Sequence, residues 1–273
     1  MTRFLRYALL PLILCQTAFG QSGGKAGAFA RMGFGARGIA MGNAMTAVAD
    51  GDIISYYNPA LNSFIERKIA SVSFGILSFD RYLNFLTYSQ PIRPTAGISV
   101  SLINAGVRNI DGRDNDGNHT EYYSTFENQV SLAFSNQIEN NFSAGVAIKL
   151  YYSKLFDKVK STTVGFDVGF AAKITENIAL AGAWQDLNSK YKWDTKPLYD
   201  LNGKTTTDPF PNLRRIGITY RLASKLLFSV DFENSSVKTN IFRAGTEYEI
   251  IQDFTVRGGL DRLVPEVEQS FSG

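Results

Sequence analysis

Cysteine is nearly absent from this 273-residue chain; the single one is Cys15. It falls in an N-terminal stretch that reads as a leader, so the mature chain has no thiol, no disulfide and no cysteine chemistry. Histidine is equally scarce. His119 is the only one, which excludes multi-histidine metal sites and confines any Ser-His-Asp triad to that position. No strand pattern sets a serine beside a neighbouring acid, so neither a hydrolase nor any other enzyme is expected. Charged residues make up only 19% of the chain, and the net charge of +3 forms no strongly basic face, so nucleic acid is not an expected partner. Beyond residue 20 there is no run of about 18 apolar residues, which excludes a helical membrane span.

What is present begins with the leader. Met1-Thr2-Arg3-Phe4-Leu5-Arg6 is basic, Tyr7 to Cys15 is apolar, and Ala18-Phe19-Gly20 is small at the positions a signal peptidase reads. Residues 1–20 are therefore read as a secretory signal peptide. A lipoprotein leader ending at Cys15 is the alternative, opposed by the bulky Leu14. The chain has 24 Gly, 20 Phe and 13 Tyr, a composition that suits a lipid-facing surface better than one solvated all round.

The dominant pattern has a period of two. Phe142, Ala144, Val146, Ile148, Leu150 and Tyr152 alternate with Ser143, Gly145, Ala147, Lys149 and Tyr151. Val164, Phe166, Val168 and Phe170 alternate with Gly165, Asp167 and Gly169, and the same alternation returns from Ile216 to Leu260. Strands with one apolar and one polar face produce this pattern. A soluble sandwich would pack the apolar faces together; a transmembrane barrel turns them to lipid. Segments of about ten residues match a tilted membrane-crossing strand. Tyr82, Tyr88, Tyr122, Tyr123, Tyr151, Tyr152 and Tyr248 recur near segment ends, where phenol rings suit the lipid–water boundary. The expectation is an all-β, transmembrane antiparallel β-barrel in the bacterial outer membrane, in contact with its lipid.

About eleven strands are legible, near 67–78, 81–91, 95–108, 121–136, 142–155, 162–174, 177–187, 212–223, 225–235, 240–251 and 254–262. Short turns alternate with longer polar loops at Asn109–Thr120 and Asn188–Pro211, the latter carrying Trp193, Leu198, Tyr199, Leu201 and Phe210 as apolar exceptions. Single-chain bacterial barrels have even strand numbers, so the sequence is expected to be incomplete at its C-terminus. The organisation read is a leader at 1–20, an N-terminal segment at 21–66 and a barrel at 67–273.

Gly33-Phe34-Gly35-Ala36-Arg37-Gly38 spells G-x-G-x-x-G, and Asp52 has nearly the spacing of a ribose-binding acid. The context excludes a dinucleotide site, because no buried strand precedes the motif and no βαβ unit follows. The ordered series Gly35-Ala36-Arg37, Met41-Gly42-Asn43-Ala44, Ala47-Val48-Ala49-Asp50 and Tyr56-Tyr57-Asn58-Pro59-Ala60 instead resembles the N-terminal region of the PorV/PorQ family, within the FadL-like barrel superfamily. The close match covers residues 26–61, and Leu61 departs from the Gly many relatives carry there. The resemblance implies about fourteen strands when complete and an N-terminal plug or hatch folded into the lumen. It marks Gly35, Arg37, Gly38, Met41, Gly42, Asp50, Asn58, Pro59 and Ala60 as its motif positions. A short buried helix is expected over 39–49, with Asn58-Pro59 turning the chain out.

The polar strand faces carry Lys149, Asp167, Lys173, Arg221, Asp231, Glu233, Arg243, Glu247, Arg257 and Asp261. Mixed signs point to mutual pairing around the lumen, not to an ion-selective pore. In the loop from Asp111 to His119, Asp114, Asp116 and Asn118 alternate as in a calcium loop, but the EF-hand spacing fails and a solvated turn is expected. No cofactor and no metal is expected. Two functions follow from the resemblance. One is binding or shuttling of secreted proteins together with type IX secretion components. The alternative is FadL-like passage of hydrophobic small molecules through the hatch and sideways into the membrane. The polar inward faces and the mostly polar long loop favour the first.

Overall fold

The computed structural model describes residues 24–263 apart from positions 157, 224 and 253. The leader and residues 264–273 lie outside the described residues. Thirteen strands follow one another: β1 (Ile69–Leu77), β2 (Arg81–Ile92), β3 (Ala96–Arg113), β4 (His119–Glu139), β5 (Phe142–Phe156), β6 (Val159–Lys173), β7 (Ile178–Leu187), β8 (Lys190–Asp194), β9 (Thr205–Pro209), β10 (Leu213–Leu222), β11 (Leu226–Ser235), β12 (Asn240–Ile251) and β13 (Phe254–Leu263). Eleven form one antiparallel sheet in the order β1 to β7, then β10 to β13, and β8 pairs with β9 as a separate hairpin. No helix among the described residues is long and apolar enough to cross a membrane.

The alternation decides which face meets which medium. In β5, Val146, Ile148 and Leu150 are 52%, 51% and 45% exposed, whereas Ala147, Lys149 and Tyr151 between them are 3%, 8% and 0%. The same holds across β6, β10 and β11: Phe166, Val168, Ile216, Ile218, Phe228 and Val230 point out, while Asp167, Thr219, Ser229 and Asp231 are buried. A sheet that buries its charges and displays its branched and aromatic side chains is turned inside out relative to a water-soluble one. That is the arrangement of a barrel in lipid.

What fills the interior is the N-terminal segment, residues 24–65. Its backbone is mostly irregular, with helical turns at Ala28–Arg31, Ala36–Ala40, Ile54–Tyr57 and Pro59–Phe64. The helix expected over 39–49 is confined to Ala36–Ala40, because Gly42 and Asn43 take φ of 61° and 59° and turn the chain back. Every strand of the large sheet touches this segment: Asp52 meets Ser71 on β1, Phe34 stacks on Phe85 of β2, and Asn43 reaches Asp261 on β13. In a flat sheet β1 and β10, seven places apart at about 4.8 Å each, would stand about 34 Å apart, yet Asp50 pairs with Arg221 on β10 while Asp52, two residues on, meets Ser71 on β1, a gap two residues cannot span. The sheet is therefore curled around its contents.

Two further sequence expectations change. The loop expected over Asn109–Thr120 is mostly strand: β3 and β4 run on until Arg113 pairs with His119, past a register shift between Val107 and Ile110 where Asn109 has φ 53°. Polar alternation reads as loop, yet strands project beyond the apolar band as readily as within it. The second concerns Tyr151, which was expected at the boundary belt but is fully buried. Its parity matches that of Lys149, so the pleat points it inward, while Tyr88, Tyr122, Tyr152 and Tyr248 are exposed as expected.

Charge on the outer face should cost stability by depth. Ile148→Arg, mid-strand, is expected to lose about 2–4 kcal/mol, and Leu222→Arg, at a strand end, about 0–1 kcal/mol. Urea unfolding in lipid vesicles followed by tryptophan fluorescence measures both. Equal costs would count against a lipid-facing surface.

Candidate functional site: the inner segment and the lumen

The connections at one end of the barrel are two to four residues long, as at β4–β5 and β6–β7; the other end carries the 188–212 connection with its β8–β9 hairpin. The inner segment crosses the lumen between these ends. Its contact with the wall begins at glycine. A Cβ on Gly145 would lie 2.6 Å from the Ala60 nitrogen, one on Gly97 would overlap the Asn62 carbonyl, one on Gly169 the Asn58 side chain and one on Gly259 the Gly42 nitrogen. The wall lacks side chains where the segment's backbone must lie against it.

Asn58 locks this approach. Its Nδ2 donates to the carbonyls of Thr46 at 3.2 Å, Phe170 on β6 at 3.0 Å and Gly182 on β7 at 3.2 Å, while Oδ1 accepts from the Ala60 amide at 3.0 Å. The side chain is fully buried. Pro59, which has no N–H to satisfy, starts the next helical turn, as its fixed φ favours. Nearby, Ser143 donates to the Ala60 carbonyl at 2.8 Å, and Asn62 donates to the Ser99 hydroxyl at 3.0 Å.

Charges fasten the segment elsewhere. Arg37 grips Glu247 on β12 with Nε at 2.8 Å and Nη2 at 3.0 Å, and its Nη1 donates to the Asp50 carbonyl at 2.6 Å. Arg257 donates to the same Glu247, and Arg221 on β10 pairs with Asp50 at 3.0 Å. Asp231 accepts both the amide and the hydroxyl of Thr46, at 2.9 and 2.6 Å. The remaining sequence-marked charges pair on the wall: Lys149 with Asp167 at 2.7 Å and Asp186 at 3.0 Å, and Arg243 with Glu233 at 3.1 Å and Asp261 at 2.8 Å. Lys173 sits over the Phe64 ring, 4.5 Å from its centroid. Arg215 and Asp186, absent from the sequence expectation, complete these groups: Arg215 binds Glu233 at 2.6 Å.

Between the short-connection end and the inner segment lies a cavity of about 1100 Å³, lined among others by Arg37, Asp50, Lys173, Arg221, Glu247 and Arg257. The opposite side is filled. There Phe29, Phe34, Phe85, Ile103, Tyr151, Tyr191 and Phe210 form a buried cluster, with Tyr56 and Trp193 packed against it. Phe34 stacks on Phe85 at 4.7 Å, and Tyr151 and Tyr191 both meet Phe210 edge-on at 4.8 Å. The chain leaving β7 turns inward at Asp186 and Asn188, whose φ are 60° and 59°, so that β8 runs inside β6, where the Lys192 amide donates to Ser161 at 2.9 Å. The lumen thus holds two layers, the N-terminal segment and the root of the hairpin, with aromatic rings between them.

Comparison with solved structures finds this architecture in the toluene transporter TbuX of Ralstonia pickettii, at 14% identity over 83% of this chain and 85% of that one, TM-score 0.58. It recurs in the toluene transporter TodX of Pseudomonas putida, at 12% identity over 83% and 82%, TM-score 0.58, and in a Pseudomonas aeruginosa FadL homologue, at 12% over 82% and 78%, TM-score 0.56. The fold is FadL-like. No family model matches the sequence, and no curated protein does either.

The FadL-like barrel brings together what the motif series only ordered along the chain. Gly38 packs under the Tyr57 hydroxyl, Met41 and Gly42 lie against Gly245 and Gly259, and Gly35 faces Ile53. One inference from the sequence is corrected: the inward faces are not uniformly polar. Phe85, Ile103 and Tyr151 share inward parity at the hairpin end, a signal obscured because each stands beside an outward-facing leucine, Leu86, Leu102 and Leu150. The 188–211 segment is likewise not simply a polar loop, since Tyr191 and Phe210 are buried. At the tip between β3 and β4, Asp114 accepts the Asn118 amide at 2.8 Å and the Asp116 amide at 3.0 Å. The Asn118 bond above all holds its carboxyl below the usual range. Among the described residues no group of three or more His, Cys, Asp or Glu side chains could hold a metal ion.

Asn58→Ala strands buried carbonyls and is expected to cost about 1–3 kcal/mol. Faster amide exchange confined to residues 44–62, with the barrel strands unchanged, is the expected reading; unaltered exchange would deny Asn58 its locking role. A double-mutant cycle of Arg37→Met and Glu247→Gln should show a coupling of about 1–3 kcal/mol in urea unfolding.

Proposed function

We propose that this chain is a FadL-like outer-membrane channel that passes hydrophobic small molecules, with residues 24–65 as its plug. The observation that carries this reading is the buried aromatic cluster at the hairpin end, set between the N-terminal segment and the root of the hairpin inside an otherwise polar lumen. Apolar rings in that position offer an apolar solute a place to leave water, at about 25 cal/mol per Å² of surface removed. The short connections then face the periplasm and the hairpin faces outward, as in barrels of this class. Two of the similar structures are toluene transporters by name, which supports a hydrophobic solute here. The chain's chemistry is binding and passage; the paired lumen charges anchor the plug and need no turnover.

Shuttling of secreted proteins, the function implied by the PorV/PorQ resemblance, rests on the series from Gly35 to Ala60. Those residues are engaged inside the barrel: Asn58 and Ala60 contact the wall, and Arg37 and Asp50 hold the plug. That engagement is equally what a hydrophobic channel's plug requires, so the series does not favour secretion.

The test is uptake by proteoliposomes of a hydrophobic fluorescent solute against a sugar of similar size. The hydrophobic solute is expected to enter selectively. Phe34→Asp, which puts a charge into the cluster, should slow entry about tenfold, the factor that about 1.4 kcal/mol gives. Absence of uptake, together with recovery of secretion components on a tagged chain from native membranes, would overturn the channel in favour of secretion.

A further inference from the structure

We propose that the phenyl ring of Phe210 is an internal stand-in for the solute: it occupies a ring-shaped site that a single flat aromatic molecule enters by displacing it. The inference deepens the channel reading and rests on it.

The argument starts with the walls of the site. Tyr151 and Tyr191 each meet the Phe210 ring in T-shaped geometry, with centroids 4.8 Å away and interplanar angles of 70° and 79°. Aromatic pairs favour this edge-to-face geometry because the positive ring edge meets the negative face. Neither tyrosine depends on Phe210 for its position. The Tyr151 hydroxyl donates to Asp186 at 2.7 Å, and the Tyr191 hydroxyl donates to Glu127 at 2.9 Å. Against another side of the ring lies Gly27, at φ 71°, where any Cβ would overlap the ring. The site therefore has two tyrosine rings pinned by their own polar ends and a glycine where a side chain would intrude. Such a frame is preorganised for a planar occupant.

The occupant is held differently. Phe210 is 3% exposed, but its side chain has no polar group, so packing alone retains it. It follows β9, whose five residues are all exposed and whose one strand partner among the described residues is β8, and its own amide donates to the Ser189 carbonyl at 3.0 Å. Detachment of β9 from β8 would carry the ring out, while Tyr191, on β8, stays on Glu127 and Tyr151 stays on Asp186. A solute ring that takes its place keeps both edge-to-face contacts. A linear alkane of the same carbon number fills the space without them, so the site selects shape as well as hydrophobicity.

The experiment uses the full mature chain in lipid nanodiscs, as wild type and as Phe210→Ala, with benzene and n-hexane as probes. Calorimetry is expected to show benzene binding about tenfold tighter in the variant, because a tethered competitor is gone, with hexane changing by less than about threefold. Trypsin cleavage at exposed Lys192 and Lys204 should rise when benzene binds the wild type and be high in the variant with or without it. If Phe210→Ala loses its heat-modifiable barrel mobility, Phe210→Leu replaces it and should tighten benzene binding several-fold. Equal benzene affinity in wild type and variant, with cleavage unmoved, overturns the stand-in while leaving the channel. Absence of binding of either hydrocarbon to any of the proteins overturns the channel, and the stand-in with it.

Discussion

A strand in lipid can solvate nothing on its inner face except through what the barrel itself contains. The outward half of each strand here is given over to Val, Ile, Leu and Phe, so carboxylates, guanidinium groups and amides crowd inward, where an unpartnered charge would be costly. The N-terminal segment meets that demand. Thr46 caps Asp231, Arg37 bridges Asp50 and Glu247, and Asn58 gathers carbonyls from two neighbouring strands. Because those interactions are distributed over every strand of the sheet, the plug and the curvature of the wall depend on each other.

That dependence has a polarity along the barrel axis. Toward the short connections the contacts are ionic and a broad cavity remains. Toward the hairpin they are aromatic and tightly packed. Ion pairs among Arg37, Asp50, Arg221 and Glu247 fix the plug in place, whereas ring packing holds Phe34, Phe85 and Phe210 without polar bonds between their side chains. The ionic attachments and the aromatic ones lie on opposite sides of the same segment.

Most of the sheet was legible in the sequence, because a pleat of period two facing two different media leaves a direct record in residue type. Val146 to Leu150 and Phe166 to Phe170 could hardly be read otherwise. The extensions of β3 and β4 were not legible, since beyond the apolar band both faces meet water and alternation disappears. The β8–β9 hairpin was hidden for a related reason: Tyr191 and Phe210 each stand alone among polar residues, and nothing local says that the chain turns back into the lumen after Asp186. The motif from Gly35 to Ala60 was visible as an ordered series, but Arg37, Asn43 and Asn58 find their partners on strands 112 to 218 residues away.

The sequence by itself determined the strand faces, and with them a barrel whose apolar side is outside, because alternation is a local property enforced by backbone geometry. It also showed that mixed charges would fill the interior. Which charge meets which, which glycine receives which backbone, and where aromatic side chains gather into one cluster were decided only when the sheet curled around residues 24–65. Those contacts join positions remote in the chain, and the curling of the wall around a common centre is what brings them within reach.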